Sequence, residues 1–140
     1  GAVGVISLIL TIISQLILFS NIDLYTLILV PIVGRTSVVV SWSNMNYAKK
    51  SAGMGTLFVE SIKANELIFN IMITLIICGF MPNYIMQIMS TIITFFCVLI
   101  IGKWINGKIS GMTGDTCGFV AEMSQIIFMF VSLILSKLII

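Results

Sequence analysis

Residues 110–125, SGMTGDTCGFVAEMSQ, gather Gly111, Thr113, Gly114, Asp115, Gly118 and Glu122 just before the last apolar run of the chain. Gly111 and Gly114 permit a backbone turn that a β-carbon would resist, and Thr113 or Asp115 is placed to cap the helix that follows. If that helix starts near Asp115, Glu122 lies nearly two turns on, so the two carboxylates share one face about 10 Å apart. Gly118 between them leaves room for a ligand or a neighbouring helix. The pair is too far apart to chelate one ion directly and is suited to bracketing a site. A plainer reading makes Asp115 only an N-cap and Glu122 only a neutraliser of Arg35.

Arg35 is the matching cation, about mid-way along the apolar stretch 24–42. A cation there costs roughly 2.5–3.5 kcal/mol on insertion scales, so it needs a partner or a purpose. One reading is an ion pair with Glu122 or Asp115, or a helix that ends early and leaves Arg35 near water. The other is the gripping of an anionic ligand, since a guanidinium suits phosphate geometry. The segment YAKKSAGMGTLF, residues 47–58, adds Lys49 and Lys50 to Gly53 and Gly55. Ammonium groups and backbone amides can approach a phosphate together, and the same residues equally serve as ordinary topology signals. Glu60, Lys63 and Glu66 follow at helical spacing and read as a solvated or interfacial face. Cations to hold phosphate, amides to orient it and carboxylates able to take Mg²⁺ or a proton describe a membrane-embedded site for a phosphorylated or pyrophosphorylated molecule.

The elements that must position these residues are membrane helices. With 59% hydrophobic and 9% charged residues among 140, the chain has too little polar surface for a soluble fold. Residues 1–22 and 67–102 carry no charge, and Pro82-Asn83 splits the second stretch into a hairpin. Adding 24–42 and 119–140 gives an all-α, polytopic helical bundle of about five transmembrane helices in one membrane domain. Long continuous apolar runs do not fit the alternation of a lipid-facing barrel. Lys49, Lys50 and Lys63 fall in one connection and Lys103 and Lys108 in another, whereas FSNID and MPNY carry no Lys or Arg. The basic connections are therefore expected in the cytoplasm, with the amino end on the same side. No basic patch speaks for nucleic acid. Cys78, Cys97 and Cys117 are widely spaced and histidine is absent, which excludes zinc-type spacing and a Cys/His catalytic pair. Gly1 stands inside an apolar segment where a native start would not normally fall, so further residues are expected upstream.

Three ordered stretches, GRTSVVV from Gly34, YAKKSAGMGTLF and GMTGDTCGFVAEMSQ, resemble the carboxyl-terminal half of the cobalamin synthase (adenosylcobinamide-GDP ribazoletransferase) family of prokaryotic membranes. GAVGV at the amino end resembles the close of that family's aspartate-rich motif, so the resemblance covers essentially the whole chain. Lys49 stands where arginine is usual, Ser110 replaces a glycine, Cys117 a leucine and Phe119 an alanine, and Gln125 stands where a second glutamate is often seen.

The resemblance implies transfer at phosphorus. α-Ribazole, or its 5′-phosphate, attacks the pyrophosphate of adenosylcobinamide-GDP and GMP leaves, with Mg²⁺ assisting, on the cytoplasmic face of the inner membrane. It implies Arg35, Asp115 and Glu122 as catalytic residues, with Asp115 on the metal, and Lys49, Lys50, Gly53, Gly55, Thr113 and Gly114 as substrate-binding ones. It also implies a missing amino-terminal segment carrying further carboxylates. The residues alone leave three rival readings open. These are a small transporter or channel subunit with Arg35 and Glu122 along a permeation path, a membrane scaffold, and a CDP-alcohol phosphotransferase, whose double Asp-Gly signature is absent from these residues. A homo-oligomer is compatible with all of them.

Overall fold

The computed structural model describes residues 1–43, 64–109 and 113–139. They form five helices: α1 Ala2–Phe19, α2 Leu24–Trp42, α3 Ala64–Gly79, α4 Tyr84–Ile109 and α5 Gly114–Ile139. The expected all-α bundle is present. Four helices are long and apolar enough to span a bilayer. The exception is α3, whose 16 residues rise about 24 Å, short of a hydrocarbon core of about 30 Å. Helix α4 continues past the expected limit at residue 102 and takes Lys103 and Lys108 with it.

Local chemistry sets the helix ends. The Asp23 carboxylate accepts from the Tyr25 and Thr26 N–H groups at 3.1 and 3.2 Å and so caps α2. Between α3 and α4, Asn83 takes a left-handed φ of 55°, a conformation asparagine tolerates better than most residues, and its carbonyl receives the Gln87 N–H at 3.2 Å.

Helix α5 is the hub, packed most extensively on α4 and α2. Its crossing with α2 is antiparallel. Thr26 shares a cavity wall with Ser132 and Leu133, and a β-carbon on Gly34 would lie 2.9 Å from Gln125 Cγ. Only a glycine allows that approach without a shift, as small residues do at membrane helix contacts. Thr36 on α2 meets Thr74 on α3, hydroxyl to hydroxyl, at 2.8 Å. Leu29, Val30, Val33, Val40, Phe95 and Phe128 form the main apolar core.

The interior also holds buried Thr26, Ser37, Ser41, Gln87, Ser90, Thr94, Ser124 and Ser132, while most of the large apolar side chains face outward. That distribution is the membrane form of amphipathicity, in which lipid takes the apolar faces and helix contacts take small and polar groups. Up-and-down connection brings Ala2, Trp42, Ala64, Ile109 and Gly114 to one end of the bundle, so Lys103 and Lys108 near the end of α4 lie at the end where α1 begins, and the connection carrying Lys49, Lys50 and Lys63 departs from it. FSNID and MPNY form the opposite end. The chain is a multi-pass membrane protein.

Candidate functional site

Helix α5 starts at Gly114 because Thr113 closes a reciprocal cap. The Thr116 N–H donates to Thr113 Oγ1 at 3.3 Å, and the Thr113 N–H donates to Thr116 Oγ1 at 2.7 Å. Of the two residues expected as possible caps, Thr113 does the capping, and its hydroxyl is committed to that role. Asp115, one residue inside the helix, is exposed and makes no side-chain hydrogen bond or ion pair among the described residues. The reading of Asp115 as an N-cap alone is therefore corrected. Gly114 also differs from expectation. It has no positive φ, and a β-carbon there would meet nothing within 4 Å, so the helix start does not require glycine. The same open space surrounds Gly118.

Asp115, Phe119 and Glu122 recur on one side of α5, and of the three Phe119 and Glu122 face α1. Between α1 and α5 lies a groove of about 490 Å³ lined by Ser7, Thr11, Gln15, Phe119 and Glu122 with apolar neighbours. In it the Gln15 Nε2 donates to Glu122 Oε2 at 2.5 Å, across 107 residues of sequence. A carboxyl group on a membrane helix is met here by an amide N–H donor.

Sequence reasoning passed over Gln15, although a signal was present. Thr11, Ser14, Gln15 and Leu18 recur at helical spacing and are the partly buried positions of α1, whose other residues are exposed. Helix α1 thus packs through its polar stripe, and it does so almost wholly on α5.

Arg35 lies elsewhere. On α2, Gly34 is packed on Gln125 and Thr36 on Thr74, and Arg35 falls on the outward stripe of Leu24, Ile28 and Pro31, all exposed. Among the described residues it forms no ion pair, so the expected pairing with Glu122 or Asp115 is not found. The physical reason is packing. The close α2–α5 contact uses the glycine and serine side of α2, which turns the neighbouring guanidinium outward. Gln125, level with Gly34, is ten positions beyond Asp115 on α5, about 15 Å of helix rise. Arg35 and Asp115 therefore do not converge. Lys49, Lys50, Gly53 and Gly55 lie outside the described residues, as does Gly111.

Two buried hydroxyls on the inner face of α2, Ser37 and Ser41, sit one turn apart without a hydrogen-bond partner among the described residues. No three acidic, cysteine or histidine side chains among the described residues gather to hold a metal. The free carboxylate of Asp115 fits Mg²⁺ in the one way such a donor can. It would be a single hard-oxygen donor from the described residues, leaving the ion's other positions to water or other oxygens.

The family model for cobalamin-5-phosphate synthase matches residues 1–133. The adenosylcobinamide-GDP ribazoletransferase of Alkaliphilus oremlandii is 38% identical over 140 residues, covering 100% of this chain and 57% of that protein. The protein of the same name from Fusobacterium nucleatum is 32% identical over 161 residues, 96% of this chain and 58% of its own length. That from Thermoanaerobacter sp. strain X514 is 29% identical over 130 residues, 90% and 52% respectively. The chain spans about half the length of the curated relatives it matches. No solved structure matches it significantly.

Proposed function

The chain belongs to the cobalamin-5-phosphate synthase family, and on that premise we propose that it supplies half of the membrane reaction chamber of an adenosylcobinamide-GDP ribazoletransferase. A hydroxyl of α-ribazole, or of its 5′-phosphate, forms a new P–O bond at the phosphorus next to the cobinamide. The bridging P–O bond of the pyrophosphate breaks and GMP departs with the bridging oxygen. The attacking hydroxyl loses its proton. Such a transfer needs the nucleophile aligned with the leaving group and the oxygen charge balanced.

The observation that carries this reading is the α1–α5 groove. It holds Glu122 in one orientation on Gln15 and leaves Asp115 unengaged on the same face of α5. Glu122 Oε1 is the acceptor for the hydroxyl proton, and Gln15 positions that carboxylate. Asp115 would hold Mg²⁺, which when bound would neutralise phosphate oxygens. Arg35, exposed and without a carboxylate among the described residues, is available for a phosphate arriving from outside the described bundle. Lys49, Lys50, Gly53 and Gly55 are the further phosphate-binding residues of this reading. The reaction face is the end that carries Lys103 and Lys108 of α4 and the departure of the connection with Lys49, Lys50 and Lys63, the cytoplasmic side of a prokaryotic inner membrane.

The deciding experiment measures GMP release from adenosylcobinamide-GDP and α-ribazole by the complete protein in bilayers, with Mg²⁺ varied. Wild type should release GMP, and Glu122→Gln should lose about 10²-fold in kcat, the usual contribution of a positioned proton acceptor. GMP release by Glu122→Gln and Asp115→Asn at wild-type rates would overturn the assignment of this groove.

A further inference from the structure

The bundle end opposite Gly114 carries another cavity, of about 200 Å³, with Asn21, Asp23, Thr26, Asn83, Ser132 and Ser136 on its wall and no lysine or arginine. Several of its polar groups are open acceptors. Asn21 Nδ2 is already spent on the Ile17 carbonyl at 2.7 Å and Ser20 Oγ at 3.1 Å, which leaves its Oδ1 open. The Asp23 carboxylate takes the Thr26 hydroxyl at 2.5 Å in addition to two backbone N–H groups, and each oxygen keeps further capacity. Ser132 lines the wall, 2% exposed, and its Oγ has no partner among the described residues. A buried hydroxyl left so is costly unless something enters to meet it. A negative charge, open amide oxygens and an orphan hydroxyl together call for a compact cation rich in N–H donors.

Asn83 and Met86 also border a neighbouring hollow of about 260 Å³ made by the first residues of α4. The Asn83 carbonyl takes the Gln87 N–H, and among the described residues no acceptor meets the N–H groups of Tyr84, Ile85 and Met86. A helix start of that kind draws an anion. Below it, Ile85, Met89, Ile92 and Phe96 recur at helical spacing and are all exposed, an apolar strip running from the hollow along α4.

We propose that this end of the bundle holds a phospholipid with a phosphoethanolamine headgroup, its ammonium in the Asp23–Ser132 cavity, its phosphate on the first N–H groups of α4 and an acyl chain along the Ile85–Phe96 strip. The site is independent of the transferase reading. A quaternary headgroup offers no N–H and fails to satisfy Ser132 and the amide oxygens, and a headgroup without an amine leaves Asp23 unmatched.

The test compares binding of phosphatidylethanolamine, phosphatidylcholine and phosphatidylglycerol with identical acyl chains to the whole purified chain, by native mass spectrometry and by thermal stability in detergent. Phosphatidylethanolamine is expected to bind about tenfold more tightly than either rival, the worth of one charge-assisted hydrogen bond. Asp23→Asn keeps a good N-cap and removes the charge, and Asn83→Gly suits the left-handed φ and removes the amide. Each should bring the preference close to parity while circular dichroism stays helical. Equal binding of the three lipids overturns the proposal, as does an undiminished preference in Asp23→Asn. Saturation of the lipid-free protein by sodium, with the same stability gain and no lipid discrimination, would make the cavity a simple cation site and overturn it too.

Discussion

Glu122 illustrates how one carboxylate can persist on a membrane helix without a counter-cation. Its bond to Gln15 supplies a donor but no charge, so removing the amide leaves an acid with nothing to orient it. Gln15→Ala should lower kcat about tenfold, in line with a lost charge-assisted hydrogen bond, with KM little changed because the amide acts through Glu122. A change confined to KM would instead place Gln15 on the substrate. Arg35 makes the opposite case, a charge that packing leaves without an internal partner among the described residues. Arg35→Ala should therefore leave thermal stability within about 0.5 kcal/mol of wild type, as for a surface substitution, while GMP release falls. Arg35→Lys should recover only part of the rate, because a single ammonium cannot reproduce a two-pronged phosphate contact. A large loss of stability in Arg35→Ala would show that the guanidinium is structural after all.

At the scale of the helices, the α2–α5 crossing depends on Gly34. Gly34→Ala drives a methyl towards Gln125 Cγ, which 2.9 Å does not accommodate. It should cost about 1–3 kcal/mol as an overpacked contact, read as a lower melting temperature in detergent, and Gln125→Ala in the same chain should relieve part of it. Thr113→Ala removes one half of the α5 cap and should cost about 1 kcal/mol. The boundaries of α2 were legible as the apolar stretch 24–42 interrupted by Arg35, and the α3–α4 break from Pro82-Asn83. The shared face of Asp115 and Glu122 followed from their spacing alone. What the pattern could not carry was direction across helices. Arg35 and Glu122 look complementary on paper, but nothing local reveals that Gly34 is pressed on Gln125 and that the next side chain must turn out. The Gln15–Glu122 bond joins residues 107 apart, and no periodicity within either helix encodes that meeting.

For the whole molecule, the alternation of ends is the property most exposed to experiment. The described helices place the start of α1, the end of α2 and the α4–α5 connection together. Single cysteines introduced into a cysteine-free chain at Gly1, Ser43 and Lys108 should then share one labelling side, and one at Pro82 should label from the other. Labelling of Ser43 and Pro82 from the same side would dismantle the five-helix order. The inverted polarity of α1 adds a consequence for biosynthesis. Its polar stripe meets α5, so during synthesis α1 enters the bilayer before the Glu122 carboxylate that Gln15 holds has been made. At about 5–20 residues per second the interval is about 5–20 s. For that period Gln15 lacks the carboxylate it holds in the folded bundle, and the arrival of α5 brings the two together.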